Sequence, residues 1–427
     1  MERVVITGIG AVTPLGNSFQ DSWNAIKAGL SGIRKVTKVS ASQLKWTSAG
    51  ELKNFKADAY LGPKELRRLD PFVHYAIASA VMSAEDAGLL SNSQYSSCKS
   101  EEKNREKTGL NYLSSGGIII GSSRGGISSL ENAFMNMQNP ALNAGRSRLS
   151  PYLMPATTIS MAASCIAQKL GIKGYCLSIS NACASGSNAI GEAYRLLKAG
   201  FRGPVITGGT DAPVCRLCIE GYGSSGALSK AGPLLASRPF DRNRDGFVLA
   251  EGACTLVLEN LESALRRGAK IYGEVTGYSN TVDAFHQTKP DIKGGINALR
   301  FAIAEAGMKT DDIDYINAHG TSTPIGDLVE AEAIVAAFGK KAPHIPLSAI
   351  KSMTGHMLAA SGAFEAACTA MSLFEGIIPP AINVREKDSR CNINLITEKL
   401  QLNIKTALSS SFGFGGVNAV LVFKKLE

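Results

Sequence analysis

Long apolar runs are missing from this 427-residue chain, and nothing approaches the ~20 continuous apolar residues that a membrane-crossing helix needs. A helical membrane protein is therefore excluded. Histidine is scarce, with five in the whole chain, and tryptophan scarcer, with two. Cysteine is present but lacks order: nine residues, an odd number scattered from Cys98 to Cys391, form no disulfide framework and suit a reducing, cytoplasmic compartment. There is no low-complexity tract and no short-period repeat. The Arg3-Val4-Val5-Ile6 start reads as a strand at once and leaves no room for a signal peptide.

What remains is ordinary packed-protein composition, 44% hydrophobic and 19% charged, with a net charge of +9. That charge suits an acidic partner: a nucleic acid, a membrane surface or an acidic protein. The basic residues (Lys64, Arg67, Arg68, Arg146, Arg148, Arg266, Arg267 among them) are scattered without interleaved aromatics, which argues against nucleic acid.

A chain of this length exceeds most single cores, so two domains or two halves are expected. β-branched runs at Val4-Val5-Ile6, Ile118-Ile119-Ile120, Leu177-Ser178-Ile179, Pro204-Val205-Ile206 and Thr255 to Leu258 alternate with Ala-rich helical segments. A second series lies at Ile271 to Val275, Asp314 to Asn317, Ile345 to Ser348, Ala407 to Ser411 and Ala419 to Phe423. The alternation predicts a layered α/β fold of two comparable halves, 1–265 and 266–427. The polar stretch Ser91 to Ser115 reads as a mobile surface loop, and Asn136 to Pro155 as irregular because of its prolines.

Chemistry concentrates in four places. Cys183 ends a strand-like run (Leu177 to Asn181) and precedes a helical one, so it sits at a helix start, where unpaired N–H groups favour a thiolate. A nucleophile and an inert buried thiol both fit this segment. His319 follows Asp314-Tyr315-Ile316-Asn317-Ala318, and His356 follows Pro346-Leu347-Ser348 through Lys351-Ser352-Met353-Thr354-Gly355. Two of only five histidines at matching strand ends point to a shared site. Ser409 to Asn418 holds a glycine-rich turn, Phe412-Gly413-Phe414-Gly415-Gly416, with no Lys-Ser/Thr and no following helix, so phosphate binding is disfavoured while a backbone N–H aimed at a reacting oxygen is not. Cys215-Arg216-Leu217-Cys218 lacks further ligands for zinc and reads as packing, and Gly121 to Gly126 has the wrong glycine spacing for a dinucleotide.

Asn181-Ala182-Cys183-Ala184-Ser185-Gly186, Asn317-Ala318-His319-Gly320-Thr321-Ser322-Thr323-Pro324, Lys351 to His356 and Phe412 to Gly416 together closely resemble the β-ketoacyl-acyl-carrier-protein synthase family, in its type II elongating branch, across essentially the whole chain. The resemblance implies a thiolase-like, five-layered αβαβα fold with two similar halves. It implies decarboxylative condensation of a malonyl thioester with an acyl group held on Cys183, His319 and His356 acting as neutral donors, and backbone N–H groups of Cys183 and Phe414 as the oxyanion hole. Lys351, Glu330 and Asp327 match supporting positions, Thr321 and Thr323 match pantetheine-binding ones, and Phe414 resembles a gating aromatic. No cofactor or metal is implied. The implied partners are an acidic acyl carrier protein, with Lys64, Arg67, Arg68 and Arg124 as candidate contacts, and a second subunit, either an identical one or a chain-length partner.

Two departures from the family stand out: Val417 replaces a usual Thr, and Arg124 puts a charge in the loop that resembles the acyl-pocket loop. They leave room for a specialised ketosynthase of a secondary lipid or polyketide pathway. A non-decarboxylating thiolase would bring a second catalytic Cys in place of two His, and a non-catalytic chain-length partner would lack Cys183.

Overall fold

The β-branched runs become the strands of one mixed sheet in the computed structural model, which describes residues 2–90, 109–138 and 149–426. In chain order its strands are β1 (Val4–Val12), β2 (Gly117–Gly121), β3 (Cys176–Ile179), β4 (Val205–Asp211), β5 (Gly252–Asn260), β6 (Gly273–Val282), β7 (Tyr315–Asn317), β8 (Pro346–Ser348), β9 (Asn394–Leu395), β10 (Thr406–Gly413) and β11 (Val417–Lys424). Their spatial order is β9-β8-β7-β10-β11-β6-β1-β5-β4-β2-β3. From the centre outward, β1-β5-β4-β2-β3 repeats as β6-β11-β10-β7-β8, with antiparallel pairing for the first two steps and parallel pairing for the next two in both series. The series join where Val4 to Ile6 of β1 pairs with Val275 to Gly273 of β6.

The principal helices are α1 (Pro71–Asp86), α2 (Met161–Leu170), α3 (Ser185–Lys198), α4 (Arg216–Ser224), α5 (Ile292–Glu305), α6 (Pro324–Phe338) and α7 (Ala359–Glu375). α1 and α2 cover one outer face, α5 and α6 the other, and α3 and α7 pack between the two series of strands, giving five layers. Position explains composition. Every residue of α7 from Ala359 to Leu373 is buried, which requires a helix apolar on nearly all sides. Its alanines and the glycines opposite let backbones approach closely: a methyl group added at Gly186 would fall 2.1 Å from the Ala359 carbonyl oxygen, and one at Gly209 2.3 Å from it.

Most sequence-predicted runs map onto strands within a few residues, but the polar stretch needs correcting. Residues 91–108 lie outside the described residues, whereas Gly109–Ser114 is a short helix with Leu113 buried, because that apolar side chain has a core to enter. Within Asn136 to Pro155, residues 139–148 are likewise outside, and Leu153–Thr157 forms one helical turn.

Gly186→Ala should destabilise the fold by about 1–3 kcal/mol, the usual range for overpacking. Gly232→Ala, where an added methyl group meets nothing within 4 Å, should be close to neutral. Urea unfolding of the two variants checks the difference.

Candidate active site

The functional side chains follow the ends of the parallel strands. Cys183 comes after β3 and His356 after β8, the equivalent strand of the other series; His319 comes after β7, and Arg124 after its counterpart β2. Three of these four loops contain a non-glycine residue in the left-handed region that side chains rarely adopt: Ala182 (φ 48°), Ser322 (φ 72°) and Leu358 (φ 51°). Such conformations cost about 1–3 kcal/mol each and persist only when surroundings hold them. Ser185 holds the first, its Oγ donating to the Ala182 carbonyl at 2.6 Å and accepting the Asn181 N–H at 2.8 Å. Asp327 accepts the Ser322 N–H at 3.0 Å, and Asp211 accepts the Ala359 N–H, next to Leu358, at 2.9 Å.

Cys183 is half-buried and packs against a cluster that contains Tyr222, Phe247 and Leu358. Burial pushes its thiol up to about 11, opposed by the positive charges of Lys351 and Arg124 and by the Phe414 N–H, which donates to the sulfur. The helix start at Ser185 therefore does not produce a resting thiolate, contrary to the sequence expectation, because desolvation outweighs it. The glycine-rich turn between β10 and β11 lies against this loop: a methyl group at Gly413 would sit 3.0 Å from the Asn181 carbonyl oxygen and 3.4 Å from Ala184 N. Phe412, near the end of β10, faces the His319 ring at 5.9 Å between centroids.

His319 and His356 meet edge to face, with ring centroids 5.4 Å apart, and Phe247 lies 5.3 Å from His356. Both rings are held neutral, well below the usual imidazole value, by burial first and then by Lys351. The Lys351 Nζ donates to the His319 carbonyl at 2.6 Å and lies 3.2 Å from its Nδ1, while also forming a very short contact with Glu365. An ammonium only donates, so His319 Nδ1 is the acceptor and the ring proton sits on Nε2. In the second ring, Nδ1 lies 3.2 Å from Ser361 Oγ, which already accepts the Met357 N–H at 2.8 Å. When the Ser361 hydroxyl donates to this Nδ1, the proton again sits on Nε2. That His356 Nε2 is buried and has no partner among the described residues.

The remaining sequence candidates divide by task. Glu330 accepts the His319 N–H at 2.7 Å, the Gly320 N–H at 2.8 Å and the Ser410 hydroxyl at 2.8 Å, fixing the backbone beneath His319. Asp327, raised to about 7 by burial, bonds Phe240 and Ser322 N–H groups and lies 3.6 Å from Arg244, so it shapes the loop and not the rings. Thr321 and Thr323 pair through their hydroxyls at 3.0 Å. Phe414 is exposed, its ring 6.3 Å from that of Tyr222. Cys215 and Cys218 are buried in the apolar cluster beside Cys183. Arg124 is exposed, as are Lys64, Arg67 and Arg68, and its Nε also donates to the Tyr222 hydroxyl at 2.8 Å while its charge reaches Cys183.

Two carboxylates went unnoticed in the sequence. Glu365, raised to about 7 by burial against the pull of Lys351, balances that lysine's charge. Asp211, at the end of β4, accepts from Ser122, Ser123, Arg124 and Ala359 and so joins the loops after β2 and β8. The available signal was a lone acid inside an apolar run, since such a group must find partners when buried.

The family model "Beta-ketoacyl synthase, N-terminal domain" matches residues 1–264, and "Beta-ketoacyl synthase, C-terminal domain" matches residues 272–385. The 3-oxoacyl-[acyl-carrier-protein] synthase 2 of Synechocystis is 43% identical over 431 residues, covering 100% of this chain and 99% of that protein. Among solved structures, a β-ketoacyl synthase from Burkholderia phymatum superposes with a TM-score of 0.88 at 31% identity, and a type II polyketide ketosynthase in complex with its acyl-carrier protein, bound to the hexaketide, with 0.85 at 30%; each covers 100% of both chains. With both domain models matched and a full-length relative this similar, the chain belongs to the β-ketoacyl synthase family and is an acyltransferase of the thiolase-like fold.

Proposed function

We propose that this enzyme condenses a malonyl thioester with an acyl group carried on Cys183, lengthening the acyl chain by two carbons in fatty acid synthesis. The observation that carries the reading is the buried Nε2 of His356, without a partner among the described residues, beside a His319 whose own ring proton lies on its Nε2. Two neutral N–H donors suit a thioester oxygen that gains charge, whereas cationic rings would trap the enolate and free carboxylates would repel it.

In the first half-reaction the Cys183 sulfur bonds to the acyl carbon, the carbon–sulfur bond to the carrier's pantetheine breaks, and the departing thiolate takes the cysteine proton. The N–H of Phe414, directed at the sulfur, and that of Cys183 serve the tetrahedral oxyanion. In the second, the malonyl carbon–carbon bond breaks, carbon dioxide leaves, and the electron pair forms an enolate held by His319 and His356. The enolate carbon attacks acyl-Cys183, and collapse of the adduct expels the Cys183 thiolate and frees a 3-oxoacyl thioester. Lys351, paired with Glu365, and Glu330 position the rings; Asp327 shapes the loop that offers Thr321 and Thr323 to the pantetheine arm, and Phe414 gates the two half-reactions.

An acyl carrier protein is the proposed partner. Its acidic surface suits the exposed Lys64, Arg67 and Arg68 of the helix Pro63–Arg68. We also take residues 1–265 and 266–427 as the two halves and a homodimer as the working unit. The outer strand β3 has only β2 as a partner among the described residues, and the adjoining Tyr175 and Leu177 are exposed, a free edge that a second subunit would cover.

Four outcomes test this reading. With acyl- and malonyl-carrier protein, Cys183→Ala should abolish condensation, whereas Cys183→Gln should retain or raise carbon dioxide release; condensation by the alanine variant would remove Cys183 from the chemistry. His319→Ala and His356→Ala should each slow carbon dioxide release by about a hundredfold to a thousandfold, the scale for losing one such donor, with acylation of Cys183 surviving. In the Cys183→Gln protein that release should stay level from pH 8 down through 6.5 and fall only in more acidic solution, because both rings protonate below the usual imidazole value; an inflection at 6.5 in the pH–rate profile would contradict their assignment. Alkylation of Cys183 by iodoacetamide should climb about tenfold per pH unit between 7 and 9 without levelling, since its thiol titrates near 11. Mass spectrometry of the labelled peptide reads it.

A further inference from the structure

Arg124 stands where β2 ends, as His319 stands after the equivalent β7. Its backbone is fixed, because Asp211 accepts its N–H at 2.9 Å together with those of Ser123 and Ala359 and the Ser122 hydroxyl. Its side chain is fixed as well: Nε donates to the Tyr222 hydroxyl at 2.8 Å, and the guanidinium carbon lies 5.2 Å from the centre of that ring. Tyr222 in turn touches Phe247 and Phe414, with centroids 5.5 and 6.3 Å away. The guanidinium is thus mounted on the aromatic group that walls Cys183.

Three further observations bear on its use. Arg124 forms no ion pair among the described residues, and Asp211 commits its oxygens to backbone N–H groups and a hydroxyl. The Nη1 and Nη2 groups have no hydrogen-bond partner among the described residues, and the residue is open to solvent on the side away from Tyr222. Besides the Asp211 carboxylate, the surroundings of Cys183 on this side include the apolar cluster of Ile127, Tyr222, Phe247, Leu358 and Cys218. A plain alkyl chain on the sulfur would pass a rigid cation whose paired donors it cannot meet. An oxygen on that chain would meet them in the planar fork that suits a carbonyl or carboxylate.

We propose that Arg124 is a specificity-determining residue, selecting acyl chains that carry a hydrogen-bond-accepting oxygen, keto or carboxylate, over plain alkyl chains of equal length when Cys183 is loaded. This rests on the ketosynthase reading above. Tyr222 and Asp211 are its positioning residues, and the contribution of one charged hydrogen bond corresponds to about tenfold to a hundredfold in loading rate.

The test uses the full-length protein and four six-carbon pantetheine thioesters: hexanoyl, 3-oxohexanoyl, 5-oxohexanoyl and adipoyl. Intact-protein mass follows acyl-Cys183 and yields kcat/KM for each. At least one oxygenated chain should load about tenfold or more faster than hexanoyl, the best of the four marking whether a ketone or a carboxylate is read and at which carbon. Arg124→Ile should erase that preference, and Arg124→Lys should restore it in part, more for adipoyl than for the ketones because lysine offers a point charge. Hexanoyl loading as fast as every oxygenated chain overturns the proposal and leaves the ketosynthase reading intact. So does an Arg124→Ile protein that slows all four alike, as a merely structural arginine would. Failure of all four to acylate Cys183 overturns both. Should Arg124→Ile fail to fold, the wild-type series decides alone.

Discussion

Lys351 is the group on which the rest of the site depends. It is buried, and an ammonium taken out of water must be matched at once by charge and by acceptors. Glu365 supplies the charge, and the His319 carbonyl and Nδ1 supply acceptors. Each of these matches has a chemical result. The contact with Nδ1 decides which nitrogen of His319 carries its proton, and the positive charge adds to burial in keeping both imidazoles neutral while opposing the rise that burial gives the thiol. One buried cation therefore acts on three groups on three separate segments. Removing one partner of such a pair costs about 3–5 kcal/mol, so the arrangement is rigid as well as chemically directive.

The folding of the loops follows the same economy of shared partners. Left-handed conformations at Ala182, Ser322 and Leu358 turn the chain sharply after its strands, and each is secured by a side chain that serves something else too. Ser185 begins α3, Asp327 also binds the Phe240 N–H, and Asp211 also carries the loop of Arg124. Because Asp211 joins the loop after β2 to the start of α7, the side that bears Arg124 and the side that bears His356 cannot shift independently. The close contacts of Gly186 and Gly209 with Ala359 serve the same end from within the core.

The repeated strand order gives this a geometrical basis. β3 and β8 deliver Cys183 and His356, and β2 and β7 deliver Arg124 and His319, so each half of the fold presents two side chains from corresponding strand ends. α3 and α7, packed against each other between the two series of strands, hold the two sets at fixed separation. Two similar halves with different loop residues thus make one asymmetric site, with the sulfur from one and both imidazoles from the other.

The strands, the repetition of two series and the placing of Cys183, His319 and His356 after strands were legible in the amino-acid sequence alone, because β-branched runs and rare residues at strand ends are local signals. Glu365 and Asp211 were not: an acid in an apolar run says that it has a partner without saying which, and that partner lies in another segment. The protonation of the site was equally beyond reach. A helix start beside Cys183 suggested a thiolate, yet the balance between that local field and desolvation depends on how much protein surrounds the sulfur. Arg124 could be seen as a departure, but its place beside Tyr222 came from the loop that Asp211 folds. Local patterning determined which groups are present and where the strands begin; only the tertiary structure decided what each charge faces, since burial and distance belong to segments brought together by the fold.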